Sequence, residues 1–99
     1  MLVLALLAVC LGQPAAAQTA EAVHLRSLAA TCAACHGSDG KPPEGSAIPR
    51  LAGLPRDDFL ARVRGFRDGS RPATVMHQLG RGYTDAQLTA LADYFARQR

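Results

Sequence analysis

Cys32-Ala33-Ala34-Cys35-His36 places two cysteines three residues apart and a histidine directly after the second. This is the spacing used for covalent attachment of a c-type haem. The reason is geometric, because positions i, i+3 and i+4 of a helical turn lie on one face. Two thiols so placed can form thioethers with the two vinyl groups of a haem while the imidazole of His36 reaches the iron as proximal ligand. Other uses of the pattern fit less well. A dithiol redox pair sits near a βαβ pattern, and no segment of this chain reads as a convincing strand. A structural zinc site normally takes four ligands, and the only other cysteine and histidines are Cys10, His24 and His77.

Upstream of the motif, residues 1–17 form an apolar run that ends in small residues, Ala15-Ala16-Ala17. This reads as a secretory signal peptide cleaved after Ala17, with export to the periplasm as its consequence. The run is too short to span a bilayer, which takes about 20 apolar residues. It departs from the usual signal in having no Lys or Arg before the apolar stretch. Cys10 follows Leu7-Ala8-Val9, a faint likeness to a lipoprotein cleavage site, but Val9 is too large for the small residue used there, which argues against lipid anchoring. Cleavage leaves one domain, residues 18–99, which is 82 residues long. A core of that size is marginal without a staple. A buried, covalently held haem would supply the missing core, in keeping with only five aromatic residues and no tryptophan.

Downstream and upstream of the motif the chain reads as all-α, with three main helices. The first runs from about Ala20 to Cys35, with Leu25, Leu28, Ala29 and Cys32 at i, i+3, i+4 and i+7. Gly37 to Gly45 is a loop by composition. A second helix begins near Asp57, capped by Asp57 or Asp58, shows Phe59, Val63 and Phe66 on one face, and ends at Gly69. The third carries the clearest signals: Thr84-Asp85-Ala86-Gln87 is a capping box, followed by Leu88, Leu91, Ala92 and Phe95 at helical spacing.

An iron held by His36 needs a sixth ligand or an open site. Met76 is the only methionine after the signal. It lies between Pro72 and the glycines Gly80 and Gly82, in a stretch whose weak periodicity reads as a loop able to bring a thioether over the iron. Core filling is the bland alternative for a lone methionine. His77 is a rival ligand, although adjacent loop residues point in different directions and only one of the two can ligate. His24 lies eight residues before Cys32, about 80° away around the helix axis, and reads as a rim or solvent-facing side chain.

These residues, with Pro49-Arg50-Leu51-Ala52-Gly53 and Leu91-Ala92-Asp93-Tyr94-Phe95, make the chain resemble the class I c-type cytochromes over nearly its whole length after the signal. The resemblance implies a small fold of three main helices wrapped around one haem c, bound through Cys32 and Cys35. It also implies that the Pro49 carbonyl accepts a hydrogen bond from the second ring nitrogen of His36, fixing its tautomer. The first and last helices of that family cross, a role that fits Leu28 and Tyr94. A narrower likeness, carried by Phe66 to Asp85 with its Thr74-Val75-Met76 and Gly82-Tyr83 elements, is to the haem domain of the cytochrome subunit of flavocytochrome c sulfide dehydrogenases. There an FAD-carrying subunit oxidises sulfide and passes electrons to the cytochrome. The chain departs from the two-haem form of that subunit in having one attachment motif.

Histidine and thioether together would favour ferrous iron, raise the potential and leave no open site for substrate. No catalytic acid, base or nucleophile with a partner is visible, so the chain reads as an electron-transfer protein and not as an enzyme. Formal net charge is +3, and between Arg50 and Arg81 seven arginines face three aspartates. A solvated helix face is the bland reading of that excess, and steering of an acidic redox partner is the functional one. Expected export and the lack of a basic–aromatic surface motif argue against nucleic-acid binding. Two functions are therefore expected: electron acceptor for a flavoprotein subunit, or a free-standing soluble shuttle between a dehydrogenase and a terminal oxidase.

Overall fold

Thr19 opens the first helix: its hydroxyl accepts the Ala22 N–H at 3.1 Å, satisfying one of the amides a helix start leaves bare. The computed structural model describes residues 16–99, and among them the regular structure is entirely helical. The apolar run read as a signal therefore lies outside the described residues, apart from Ala16 and Ala17. Helix α1 spans Ala20–His36. Three of the four residues of its predicted stripe face inward, with Ala29 buried and Leu28 and Cys32 packed against the core; Leu25 is half-buried outside that cluster, and His24 is exposed.

Gly37 ends α1 with a positive φ of 81°, its N–H bonding the Ala33 carbonyl at 2.9 Å. A Cβ there would lie 2.2 Å from the Lys41 carbonyl oxygen, so glycine alone fits the turn that follows His36. A single 3-10 turn, Ser38–Gly40, comes next. The Gly40 carbonyl accepts from both Leu51 N at 2.9 Å and Ala52 N at 3.0 Å, which folds the intervening loop back against α1.

Helix α2 spans Arg56–Asp68 and ends at Gly69 in the left-handed conformation. Its start corrects the reading from sequence. Pro55 occupies the cap position with no side-chain cap, and Asp57 and Asp58 sit in the first turn, where they complement the positive end of the helix dipole. A second difference concerns Met76. The stretch read as a loop contains helix α3, Met76–Arg81. Six residues are too few to show helical periodicity, and tertiary packing on α2 supports the helix instead. Buried Gly80 allows the approach, since a Cβ there would come within 3.3 Å of Arg67 and 3.4 Å of Val63. Helix α4, Asp85–Ala96, has the expected capping box, with Thr84 and Gln87 bonding each other's backbone N–H.

The core forms where α4 packs against α1 and α2. Leu88, Leu91, Ala92 and Phe95 of α4 are buried with Phe59, Leu60 and Val63 of α2 and Ala29 of α1. Phe59 and Phe95 stack with centroids 5.9 Å apart, and Tyr94 meets Phe95 edge-on at 5.2 Å. Gly53 N–H bonds the Phe95 carbonyl at 2.8 Å, tying the loop before α2 to the end of α4. Leu28 and Tyr94 pack against the rim of this core, as expected for crossing first and last helices. No helix among the described residues is long and apolar enough to cross a membrane.

Candidate haem site

Helix periodicity puts Cys32, Cys35 and His36 on one face of the last turn of α1. All three line a cleft of about 330 Å³ bounded by α1, the loop through Pro49, α2 and α3. Apolar side chains make its floor, among them Leu51, Leu54, Phe59, Val63, Leu88 and Leu91. Several of these belong to the core or pack on it, so the cleft is an opening into the apolar interior.

His36 Nδ1 lies 2.7 Å from the Pro49 carbonyl oxygen. A carbonyl only accepts, so Nδ1 carries the proton and Nε2 keeps its lone pair for another partner. The imidazole is thus oriented by backbone whose position the Gly40 hydrogen bonds secure. Burial pushes the Cys32 thiol above its ordinary pKa, while the Thr31 hydroxyl, 4.0 Å from its sulfur, acts in the opposite direction. An uncharged thioether suits such surroundings better than a thiolate. Cys35 is exposed, and neither cysteine is in a disulfide.

Met76, the first residue of α3, lines the same cleft, together with Thr74, Val75 and Leu79. His77 does not line it; its Nδ1 is buried without a hydrogen-bond partner. Thus the cleft gathers Cys32, Cys35, His36, Pro49 and Met76, and leaves out His24 and His77. Among the described residues no group of three or more His, Cys, Asp or Glu side chains comes together as a metal cluster.

Three further features of the site had no local signal in the sequence. Tyr83 reaches back over the cleft to Thr31, with the two hydroxyl oxygens 2.6 Å apart. Arg62 and Arg71 are cleft-lining residues, whereas they read from sequence as two members of a general arginine excess. Ile48, Val75 and Leu79 line the cleft yet stay 41%, 49% and 45% exposed, an apolar lip at its mouth.

The residues present fit a covalently held haem: paired cysteines, an oriented imidazole and a largely apolar cleft in a small domain. The comparisons with known proteins agree. The chain is 42% identical over 69 residues to the thiosulfate dehydrogenase electron acceptor of Thiomonas intermedia, covering 70% of this chain and 32% of that protein. It is 37% identical over 68 residues to the cytochrome subunit of sulfide dehydrogenase of Chlorobaculum tepidum, covering 69% of this chain and 60% of that one. It is 26% identical over 98 residues to cytochrome c-553 of Nitratidesulfovibrio vulgaris, covering 96% of both. The chain thus spans about a third of the first relative and three fifths of the second. The family model for cytochrome c matches residues 26–98. The chain therefore belongs to the cytochrome c family, as a class I c-type cytochrome that carries haem c covalently through Cys32 and Cys35 and transfers electrons.

Proposed function

We propose that the protein carries single electrons in the periplasm through a haem ligated by His36 and Met76, and that it takes them from the flavin-bearing subunit of a sulfide dehydrogenase. The observation that carries the ligation is the cleft itself: oriented His36 on α1 and Met76 on α3 line one space. When bound, the haem supplies a one-electron Fe(II)/Fe(III) couple. The chain's own residues do the rest. Pro49 holds the Nδ1 proton of His36, so Nε2 is the ligating atom. Met76 offers a soft thioether, which favours the ferrous state and closes the site to substrate. Leu51, Leu54, Phe59 and Leu91 keep water away, so the charge change on electron transfer meets little reorganisation.

The partner assignment rests on two lines of support. The Chlorobaculum relative is named as a cytochrome subunit of sulfide dehydrogenase, and the Phe66–Asp85 stretch resembles the haem domain of such subunits. The apolar lip of Ile48, Val75 and Leu79 is also what a permanent partner would cover. A free shuttle is the second reading, favoured by the excess of arginines over aspartates between Arg50 and Arg81. Purification of the native protein from the periplasm separates the two. Co-purification with a flavin-bearing chain in fixed stoichiometry, and electron transfer that is insensitive to dilution and salt, is the expected result. A lone monomer whose reaction with an acidic partner slows as salt rises would establish the shuttle instead.

A further inference from the structure

We propose that Tyr94 and Asp39 are positioning residues for the haem ligand His36: their hydrogen bond clamps the loop that carries Pro49, and through the Pro49 carbonyl it sets how readily the iron is reduced. The inference rests on His36 as an iron ligand and is independent of the sixth ligand and of the redox partner. Pro49 is exposed and 13 residues from His36, so its 2.7 Å bond to Nδ1 depends on how the intervening loop is held. Among the described residues the hydrogen bonds of residues 42–48 are local, Ser46 N–H to the Pro43 carbonyl at 3.1 Å and Ile48 N–H to Ser46 Oγ at 3.1 Å. Neither reaches a helix. The anchors lie at the two ends of the loop.

Both ends meet the last turn of α4. At the near end Asp39 stands in the left-handed region with φ at 54°, and its carboxylate accepts the Tyr94 hydroxyl proton. Beside it, Gly40 lies so close to the core that a Cβ there would come 2.9 Å from the Phe95 ring and 2.7 Å from Leu51 Cβ. At the far end the Gly53 N–H bonds the Phe95 carbonyl at 2.8 Å. The Gly40 carbonyl joins the two ends by accepting from Leu51 and Ala52. Phe95 is fully buried and supplies a fixed wall. The Tyr94–Asp39 bond is the one part of this clamp that loss of a single hydroxyl releases.

A carbonyl that accepts from Nδ1–H makes Nε2 the stronger electron donor. A stronger donor stabilises ferric iron more than ferrous. Freeing Asp39 lets Pro49 withdraw, weakens that donor and favours Fe(II). General loosening acts in the opposite sense, since water entering the cleft favours the more highly charged ferric haem. The sign of the shift therefore separates positioning from destabilisation alone.

The test is the Fe(II)/Fe(III) ratio of the holoprotein at a fixed solution potential, read by absorbance, together with solvent exchange of the His36 Nδ1 proton in the ferrous protein, read by proton NMR. Tyr94→Phe should shift the ratio toward Fe(II) by about two- to fivefold, the scale of one neutral hydrogen bond, and should speed the exchange. Asp39→Gly removes the acceptor while suiting the positive φ; it should do the same, and the double variant should add nothing. Asp39→Asn removes the charge but keeps an acceptor at a backbone position that asparagine tolerates, so it should retain the wild-type exchange rate and most of the wild-type ratio. Thr84→Ala strips the N-cap at the other end of α4 and should lower stability while leaving both readings in place.

A ratio unchanged or moved toward Fe(III) in Tyr94→Phe would overturn the proposal, and so would equal changes in Thr84→Ala. Asp39→Asn matching Asp39→Gly would assign the effect to charge and overturn it as well. The haem ring current on the His36 ring protons reports ligation separately. Its absence would overturn ligation by His36 and the proposal with it, whereas its presence beside an unchanged ratio overturns the clamp alone. Tyr94→Phe deletes a single oxygen, so it decides the question should Asp39→Gly fail to mature.

Discussion

Tyr83 donates its hydroxyl proton to Thr31 Oγ1 across 2.6 Å, because the Thr31 proton is already committed to the Leu28 carbonyl 2.7 Å away. The bond joins residues 52 positions apart and ties the α1 turn that carries Cys32 to the segment between α3 and α4. Tyr83→Phe should lower holoprotein stability by about 1 kcal/mol, and Thr31→Val by a similar amount. Combining them should cost little more than either alone. Guanidinium unfolding of the four proteins gives the coupling energy directly, and simple additivity would show that the hydroxyls do not act together.

Met76→Ala should abolish the weak long-wavelength band of a thioether–ferric iron bond, lower the potential and open the iron to added imidazole. His77→Ala should leave all three unchanged, since His77 does not line the cleft. Optical spectra of the two oxidised variants decide the matter. The opposite pattern would make His77 the ligand.

Gly37→Ala should destabilise the holoprotein by about 2 kcal/mol or more. With φ at 81° and ψ at 162°, the Gly37 backbone lies in a region essentially reserved for glycine, which costs an L-residue roughly 1–3 kcal/mol, and the added Cβ would meet the Lys41 carbonyl at 2.2 Å. Because Gly37 directly follows His36, the same change should loosen the imidazole and broaden the spectral response to added ligands. Gly45→Ala, at a positive φ of 79° but with no atom within 4 Å of the new Cβ, should cost only the conformational part. Equal losses in the two variants would rule out the steric contribution.

Tyr94 titrates above an ordinary phenol, chiefly through burial and then through its hydrogen bond to the Asp39 carboxylate; Arg26 acts in the opposite direction. As pH rises past about 10, the unfolded chain ionises this phenol while the folded one does not. The stabilisation is therefore complete below that pH and lost as pH climbs through the higher folded value. Tyr94→Phe should remove this component of the alkaline decline. The urea midpoint followed from pH 9 to about pH 12 in both proteins measures it, and parallel curves would assign the decline to other groups.

Much of this protein is legible in local sequence because its signals are short-range. The attachment pentapeptide needs only one helical turn to bring Cys32, Cys35 and His36 to one face. Thr84 and Gln87 form their capping box within four residues, and the stripe Leu88, Leu91, Ala92, Phe95 is buried as its spacing demands. The fold class, the covalent haem and the family all follow from those stretches. Pro49 became legible only through resemblance to a family, since nothing in its own neighbourhood announces a partner 13 residues away.

Tertiary structure decided what depends on residues distant in sequence. The six-residue α3 has no periodicity to read, and it exists because Gly80 lets it settle on Val63 and Arg67. Pro55, not Asp57 or Asp58, occupies the start of α2, since several residues near a helix start satisfy the same preferences. Tyr83 and Thr31 meet only when α4 packs back on α1. Arg62 and Arg71 stand out from the chain's other arginines only once the cleft exists, because identical guanidiniums differ in meaning solely by what surrounds them. Local sequence sets turns, caps and helix faces through interactions within a few residues; packing alone sets which of those faces enclose a common space.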